Sequence, residues 1–149
     1  MAIIPATLSH YGNEAAAPAT AYPDQLREIA SLEKSRIAVD EISRWPGYQA
    51  TPLYRLESLA GEINVREIFY KEESQRFKLK SFNALGGAYA VARQLQARIF
   101  EATGETARIE DLLTDSYDSI TRDIVISCAT DGNHGRSVAW GCQMFGCRC

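Results

Sequence analysis

Residues 124–146 read IVISCATDGNHGRSVAWGCQMFG, and their order decides the fold. Ile124–Ala129 is a short, continuous apolar run rich in β-branched residues. Its length and composition predict a buried strand of a parallel sheet. Thr130–Gly135, TDGNHG, is a glycine-rich turn. After it, Val138, Cys142 and Phe145 fall on one face of a helix that Gly146 ends. The closing Cys147-Arg148-Cys149 reads as the start of a further strand. Strand, glycine turn, helix and strand in succession give an α/β fold with a mainly parallel sheet and flanking helices.

Upstream, Phe82–Phe100 predicts a helix with Ser81 as its N-cap. Phe82, Leu85, Tyr89, Ala92 and Ile99 form the expected apolar stripe. Gly86 and Gly87 lie in its early turns, where each costs about 1 kcal/mol against alanine. That cost implies close approach of another backbone or of a ligand. A polar connector follows, with a short helix expected at Ile109–Leu113. Before residue 81, residues 64–74 read as a strand with Val65, Ile68, Phe69 and Tyr70 as its apolar members. Thr51-Pro52 is a turn into a helix over 53–63. Pro23-Asp24 opens a helix, with Leu26, Ile29, Ile37 and Ile42 at roughly helical spacing, that Trp45-Pro46-Gly47 stops. Residues 1–22 read as a weakly ordered arm and 23–149 as one incomplete domain. Two or three strands are too few to be covered on both faces, so the expectation is the N-terminal piece of a larger fold.

The bulk properties narrow the function classes. The 149 residues are 46% hydrophobic and 23% charged, with net charge −3. No Lys/Arg cluster suits nucleic acid or an acidic membrane. No run approaches the roughly 18 apolar residues of a membrane span. The N-terminus has no signal-peptide pattern, which makes cytoplasm the expectation. Cys128, Cys142, Cys147 and Cys149 all lie near the end of the chain, but C-x4-C-x-C with an upstream His134 matches no common zinc spacing. They read as small apolar residues, and no metal is expected.

Two stretches carry chemistry. TDGNHG sits where open α/β sheets bind ligands, beyond the carboxyl end of a strand. Gly132 and Gly135 let the backbone approach a ligand. The helix N-terminus favours an anion. Asp131 can act as a base, Asn133 can donate or accept, and His134 offers an imidazole able to exchange a proton. The plainer reading is a glycine-rich turn capped by Asp131 or Asn133. The second stretch is Ser81–Ala90, SFNALGGAYA. Its plainer reading is an amphipathic helix start with Asn83 as a surface polar residue.

Four blocks occur in one order: TPL at 51–53, KEES at 71–74, SFNALGGAYAV at 81–91 and ATDGNHGRSVAWGCQMFGC at 129–147. Together they resemble the fold-type II pyridoxal-phosphate enzymes, relatives of threonine dehydratase and the tryptophan synthase β-subunit. Asp131 before Gly-Asn-His, with W-P-G-Y-Q-A-T-P-L and LGG-AYA, points to the diaminopropionate ammonia-lyase family. The resemblance implies pyridoxal 5'-phosphate as cofactor, a small amino acid as substrate, and elimination of ammonia from 2,3-diaminopropionate to give pyruvate. It places Asn83 where the family carries its Schiff-base lysine. Asp131 takes the position of a further acid/base group. Asn133 takes that of the hydrogen bond to the cofactor ring oxygen, with Gly132, His134 and Gly135 beside it. Ser81 and Phe82 would shape the pocket.

Two departures follow from the resemblance. An amide cannot form an imine or take a proton near neutral pH; Lys80, three residues earlier, is the candidate substitute. The family's phosphate-binding loop and pyridine-nitrogen partner lie beyond the matched region. The expectation is a family member inactive by itself. The competing readings are a non-catalytic module that pairs with a full-length paralogue through its unfinished sheet, and another fold-type II activity such as threonine or serine dehydration. A homo-oligomer is a further expectation for partners.

Overall fold

The computed structural model describes residues 11–16, 21–130 and 132–149. Most of the expected N-terminal arm, and Asp131, lie outside these. The fold is organised on two helices, α4 (Ala84–Thr103) and α7 (Asn133–Met144). On α4 the buried positions are Ala84, Gly87, Ala88, Val91, Ala92, Leu95 and Ile99. They recur at helical spacing, so one face points inward. α7 meets that face with Ser137, Val138, Gly141 and Cys142.

Small residues let these helices approach closely. A Cβ built on Gly141 would lie 2.7 Å from the Ala88 Cα, and one on Gly87 would lie 2.8 Å from the Ser137 Oγ. Between them, the fully buried Ser137 hydroxyl donates to the Ala84 carbonyl at 2.7 Å. It also accepts the Ala88 N–H at 3.0 Å. Of the two glycines expected to mark a close approach, only Gly87 does so; nothing lies within 4 Å of a Cβ on Gly86.

Around this crossing, Trp45 is 2% exposed and packs its ring near Phe77, Tyr89, Trp140 and Phe145 at centroid distances of 5.7–6.5 Å. Ile109 and Leu112 of α5 (Ile109–Leu113) close the far end of the core. α5 falls where the sequence places it. A short α6 (Asp118–Thr121), not foreseen in the connector, buries Thr121. α7 ends as expected: Gly146 takes φ +70, and the Cys147 N–H donates to the Cys142 carbonyl at 3.0 Å.

The N-terminal helix differs from its expectation. It is two helices, α1 (Asp24–Arg27) and α2 (Leu32–Ser43). Ser31 has extended backbone, and its side chain accepts the Lys34 N–H at 3.2 Å, so it starts a new helix. The apolar residues that suggested one helix are largely uncovered: Ile29 is 78% exposed and only Ile42 on α2 is buried.

The fold class is α/β, but the strands depart from the expected detail. The helix expected over 53–63 starts later, as α3 (Glu57–Glu62), because Leu53–Arg55 forms strand β1. β1 pairs antiparallel with β2 (Phe69–Lys71), with Leu53 opposite Lys71, Tyr54 opposite Tyr70 and Arg55 opposite Phe69. Among the described residues, parallel pairing is limited to a bridge between Val125 and Arg148. The Ile126 N–H donates to the Arg148 carbonyl at 2.9 Å, and the Arg148 N–H donates to the Ile124 carbonyl at 3.0 Å. The run 124–129 is therefore not the doubly buried strand expected. Ile124 and Ile126 pack on the core, while Val125 is 61% exposed. Helices cover one side of this run, and a continuous apolar pattern does not reveal that the other side lies open.

The helix crossing yields a paired prediction. Gly141→Ala should destabilise the fold by about 1–3 kcal/mol, since backbone must move. Gly86→Ala should stabilise it by up to about 1 kcal/mol. Urea denaturation of both variants is the check, and opposite signs are expected.

Candidate functional site

The Ser137 bridge fixes the beginning of α7 against the beginning of α4. It thereby fixes the two chemistry-bearing stretches of the sequence relative to one another. At the head of α4 the helix starts at Ala84, with Asn83 as its N-cap and no side-chain cap bond. The N-cap expected of Ser81 is thus displaced by two residues. Ser81 is buried, and its Oγ accepts the Asn83 N–H at 3.1 Å. The same hydroxyl donates to the Asn83 Oδ1 at 3.2 Å. Asn83 is half-buried, so it is not the fully exposed residue of the plainer reading. Its carbonyl oxygen is committed to Ser81, which leaves the amide NH2 as the outward donor. Phe82 is 78% exposed.

The turn before α7 is organised by Thr130, a residue that sequence reasoning missed. Its Oγ1 accepts the N–H of Gly132 at 3.1 Å and of Gly135 at 2.9 Å. It therefore caps this turn, a role the plainer reading had given to Asp131 or Asn133. Gly132 has φ +134, and a Cβ on Gly135 would lie 2.5 Å from the Thr130 Cγ2. Both glycines serve this fold-back. Asn133 is exposed as the first residue of α7. His134 is half-buried and lines a cleft of about 430 Å³ with Gly87 and Val91 of α4 and with Ile124–Cys128. Asp131, the expected base, lies outside the described residues. A threonine two positions before a Gly-x-x-Gly turn was the available signal for this cap.

A second polar centre lies beneath the loop that leads into α4, and it joins the TPL and KEES motifs. Arg76 is 7% exposed. Its Nη2 donates to Glu73 Oε1 at 2.9 Å and Thr51 Oγ1 at 3.1 Å, while its Nε donates to Glu73 Oε2 at 3.0 Å. Its Nη1 donates to the Gln49 carbonyl at 2.8 Å. The Lys71 ammonium donates to the Thr51 carbonyl. Arg76 holds the Glu73 carboxyl below its ordinary range, and Glu73 in turn raises Arg76. The chain then passes through left-handed backbone at Phe77 (φ +48), Lys78 (φ +59) and Lys80 (φ +55). Such conformations cost free energy in non-glycine residues and persist only where surroundings hold them. Here Phe77 is stacked on Trp140 at a centroid distance of 4.6 Å. Lys78 and Lys80 are both exposed.

Among the described residues no group of three or more His, Cys, Asp or Glu is placed to hold a metal ion. Cys142 is core, and burial raises its thiol above the ordinary value. No helix among the described residues is long and apolar enough to cross a membrane.

With this geometry in place, three comparisons define the class. Residues 44–149 match the family of pyridoxal-phosphate dependent enzymes, and the chain belongs to that family. It is similar to the diaminopropionate ammonia-lyase of Escherichia coli K12, with 39% identity over 118 residues. That alignment covers 79% of this chain and 28% of the relative. The Salmonella typhimurium LT2 diaminopropionate ammonia-lyase is 38% identical over 101 residues, covering 68% of this chain and 25% of the relative. The chain thus spans about a quarter of the length of these curated relatives. Solved structures agree. The E. coli enzyme in complex with D-serine superposes at TM-score 0.66 with 38% identity, over 78% of this chain and 28% of that one. The same enzyme in complex with an aminoacrylate-PLP azomethine reaction intermediate gives 0.62 with 37% identity, over 78% of this chain and 27% of that one. The fold is therefore an N-terminal portion of the tryptophan synthase β-like architecture, and pyridoxal phosphate is the family's cofactor.

The Glu73–Arg76 centre predicts acid sensitivity. Because the folded carboxyl titrates below the ordinary glutamate range, its contribution is complete above that range and is lost as pH falls through the folded value. Denaturation midpoints measured from pH 6 to pH 3 should drop for the native chain. They should fall less steeply for Glu73→Gln, which starts lower by about 1–3 kcal/mol.

Proposed function

We propose that this chain is a diaminopropionate ammonia-lyase relative whose position 83 no longer provides a covalent anchor for pyridoxal phosphate, so that by itself it does not release ammonia from 2,3-diaminopropionate. The observation that carries this reading is the side chain at the head of α4. SFNALGGAYA resembles the family's lysine motif, and residue 83 is an amide whose Oδ1 accepts a hydrogen bond from Ser81. The identity of 39% to the E. coli enzyme supports the substrate class, a small diamino acid.

The residues present do not fit covalent attachment of the cofactor. Imine formation needs a primary amine with a free lone pair, and the Asn83 nitrogen shares its lone pair with the carbonyl. Without an amine there, the proton that the family removes from substrate has no acceptor at position 83. Lys80 is three residues away, but its exposed side chain springs from left-handed backbone. Asp131, Asn133 and His134 occupy the positions in the sequence that the resemblance assigns to the family's turn, and Gly132 and Gly135 shape the turn in this chain. The same reading places the chain in the cytoplasm, as a family member that has kept the scaffold and lost the anchor.

The test is borohydride reduction after incubation with pyridoxal phosphate, followed by intact mass and peptide mapping. No site-specific adduct is expected on the native chain, whereas Asn83→Lys should gain one at residue 83. Pyruvate release from 2,3-diaminopropionate should stay at the uncatalysed rate for the native chain. A stoichiometric adduct at Lys80, or steady pyruvate release, would refute the proposal.

A further inference from the structure

Two motifs of the sequence, W-P-G-Y-Q-A-T-P-L and LGG-AYA, meet where α2 leaves the core and α4 runs past it. Trp45 of the first packs its ring near Tyr89 of the second at a centroid distance of 6.5 Å. Two buried side-chain polar atoms have no hydrogen-bond partner among the described residues, and both belong to this junction: Trp45 Nε1 and Glu41 Oε2. Buried polar groups are nearly always bonded, because an unmade bond costs the full price of desolvation.

The two atoms are complementary. An indole N–H only donates, and an ionised carboxylate only accepts. They also share a face. Glu41 lies in the last turn of α2, and the Trp45 N–H donates to the Ile42 carbonyl at 3.1 Å, so the helical path runs on to Trp45. Residues four apart on such a path are neighbours. Tyr89 on α4 meets both side chains: besides the Trp45 ring it faces the Glu41 carboxylate. Burial, and after it the Glu41 charge, push the Tyr89 hydroxyl above its ordinary range. One turn along α4, Arg93 Nη1 lies 3.7 Å from the other oxygen of Glu41. The carboxylate charge is thereby balanced, while Oε2 still needs a donor.

A single water molecule meets these requirements. It carries two donors and two acceptors, and two to four polar partners hold a water inside a protein. A cleft of about 650 Å³ between α2 and α4 is lined by Glu41 and Arg93 and leads from solvent to the junction.

We propose that one ordered water is bound at the α2–α4 junction, accepting the Trp45 Nε1–H, donating to Glu41 Oε2 and sharing a third hydrogen bond with the Tyr89 hydroxyl. The water ties the end of α2 to the second turn of α4. It thereby fixes Trp45, whose ring lies 5.9 Å from that of Phe77 in the loop that enters α4. The inference is independent of the reading of residue 83.

The test is NMR on the native chain with 15N-labelled tryptophan. A cross-peak is expected between Trp45 Hε1 and a water that tumbles with the protein. Tyr89→Phe should keep it, which shows that it comes from water and not from the phenol proton. Glu41→Leu should lose it and speed exchange of the Trp45 indole proton by roughly tenfold or more. A crystal structure of the native chain gives a second reading that does not depend on how the variants fold: one water within hydrogen-bonding distance of both atoms is expected. No cross-peak in the native chain, its loss in Tyr89→Phe or its persistence in Glu41→Leu would overturn the proposal. So would a crystal structure with Trp45 Nε1 bonded directly to Glu41, or with the Glu41 carboxylate turned out to solvent.

Discussion

One buried hydroxyl sets the geometry of this chain. Ser137 bridges the Ala84 carbonyl and the Ala88 N–H, the two ends of one rung of α4, from a neighbouring helix. A polar group buried this deeply costs free energy unless it is bonded, and Ser137 uses both its donor and an acceptor lone pair. The bridge forms only if the helix axes approach closely, which is why Gly87 and Gly141 face the contact. Because Ser137 lies in the second turn of α7 and its partners in the first turns of α4, the bridge orders both helix beginnings at once.

A second constraint acts on the loop that enters α4. The Arg76–Glu73–Thr51 centre ties residues 49–51 to residues 71–76, and the Trp45 cluster seats Phe77 on Trp140. Between them they hold left-handed backbone at Phe77, Lys78 and Lys80. The strain is spent directly before Asn83. The frame that leads into Asn83 is thus held by side chains other than Asn83 itself.

Much of the site was legible in the sequence. α5 and α7 fall where periodicity places them, and the face made by Val138, Cys142 and Phe145 is buried as expected. The glycine turn before α7 was legible because glycine, asparagine and aspartate have local conformational preferences. Arg76 and Ser137 were not, because each binds groups far from it in the chain, whereas Thr130 acts locally on Gly132 and Gly135 and was overlooked. Leu26, Ile29 and Ile37 misled the helix reading in the opposite way: they keep helical spacing but find no core to bury them, so Ser31 divides the segment. Phe82 was read as part of an apolar stripe and lies instead ahead of the helix, exposed.

The sequence by itself determined the succession of α4, α5 and the glycine turn into α7, the membership of the family through four motifs in register, and the chemical limit at position 83. These are local properties: a side chain's reactivity, a turn's preferred backbone and a helix's apolar period travel with the residues. The tertiary structure decided that Gly87 and not Gly86 marks the helix crossing, that Ser81 holds the Asn83 carbonyl oxygen, and that Ile124–Ala129 is covered on one side and open on the other. Those depend on which surfaces meet in space. Apolar composition specifies that a surface seeks burial, but only packing decides whether a partner is there to provide it.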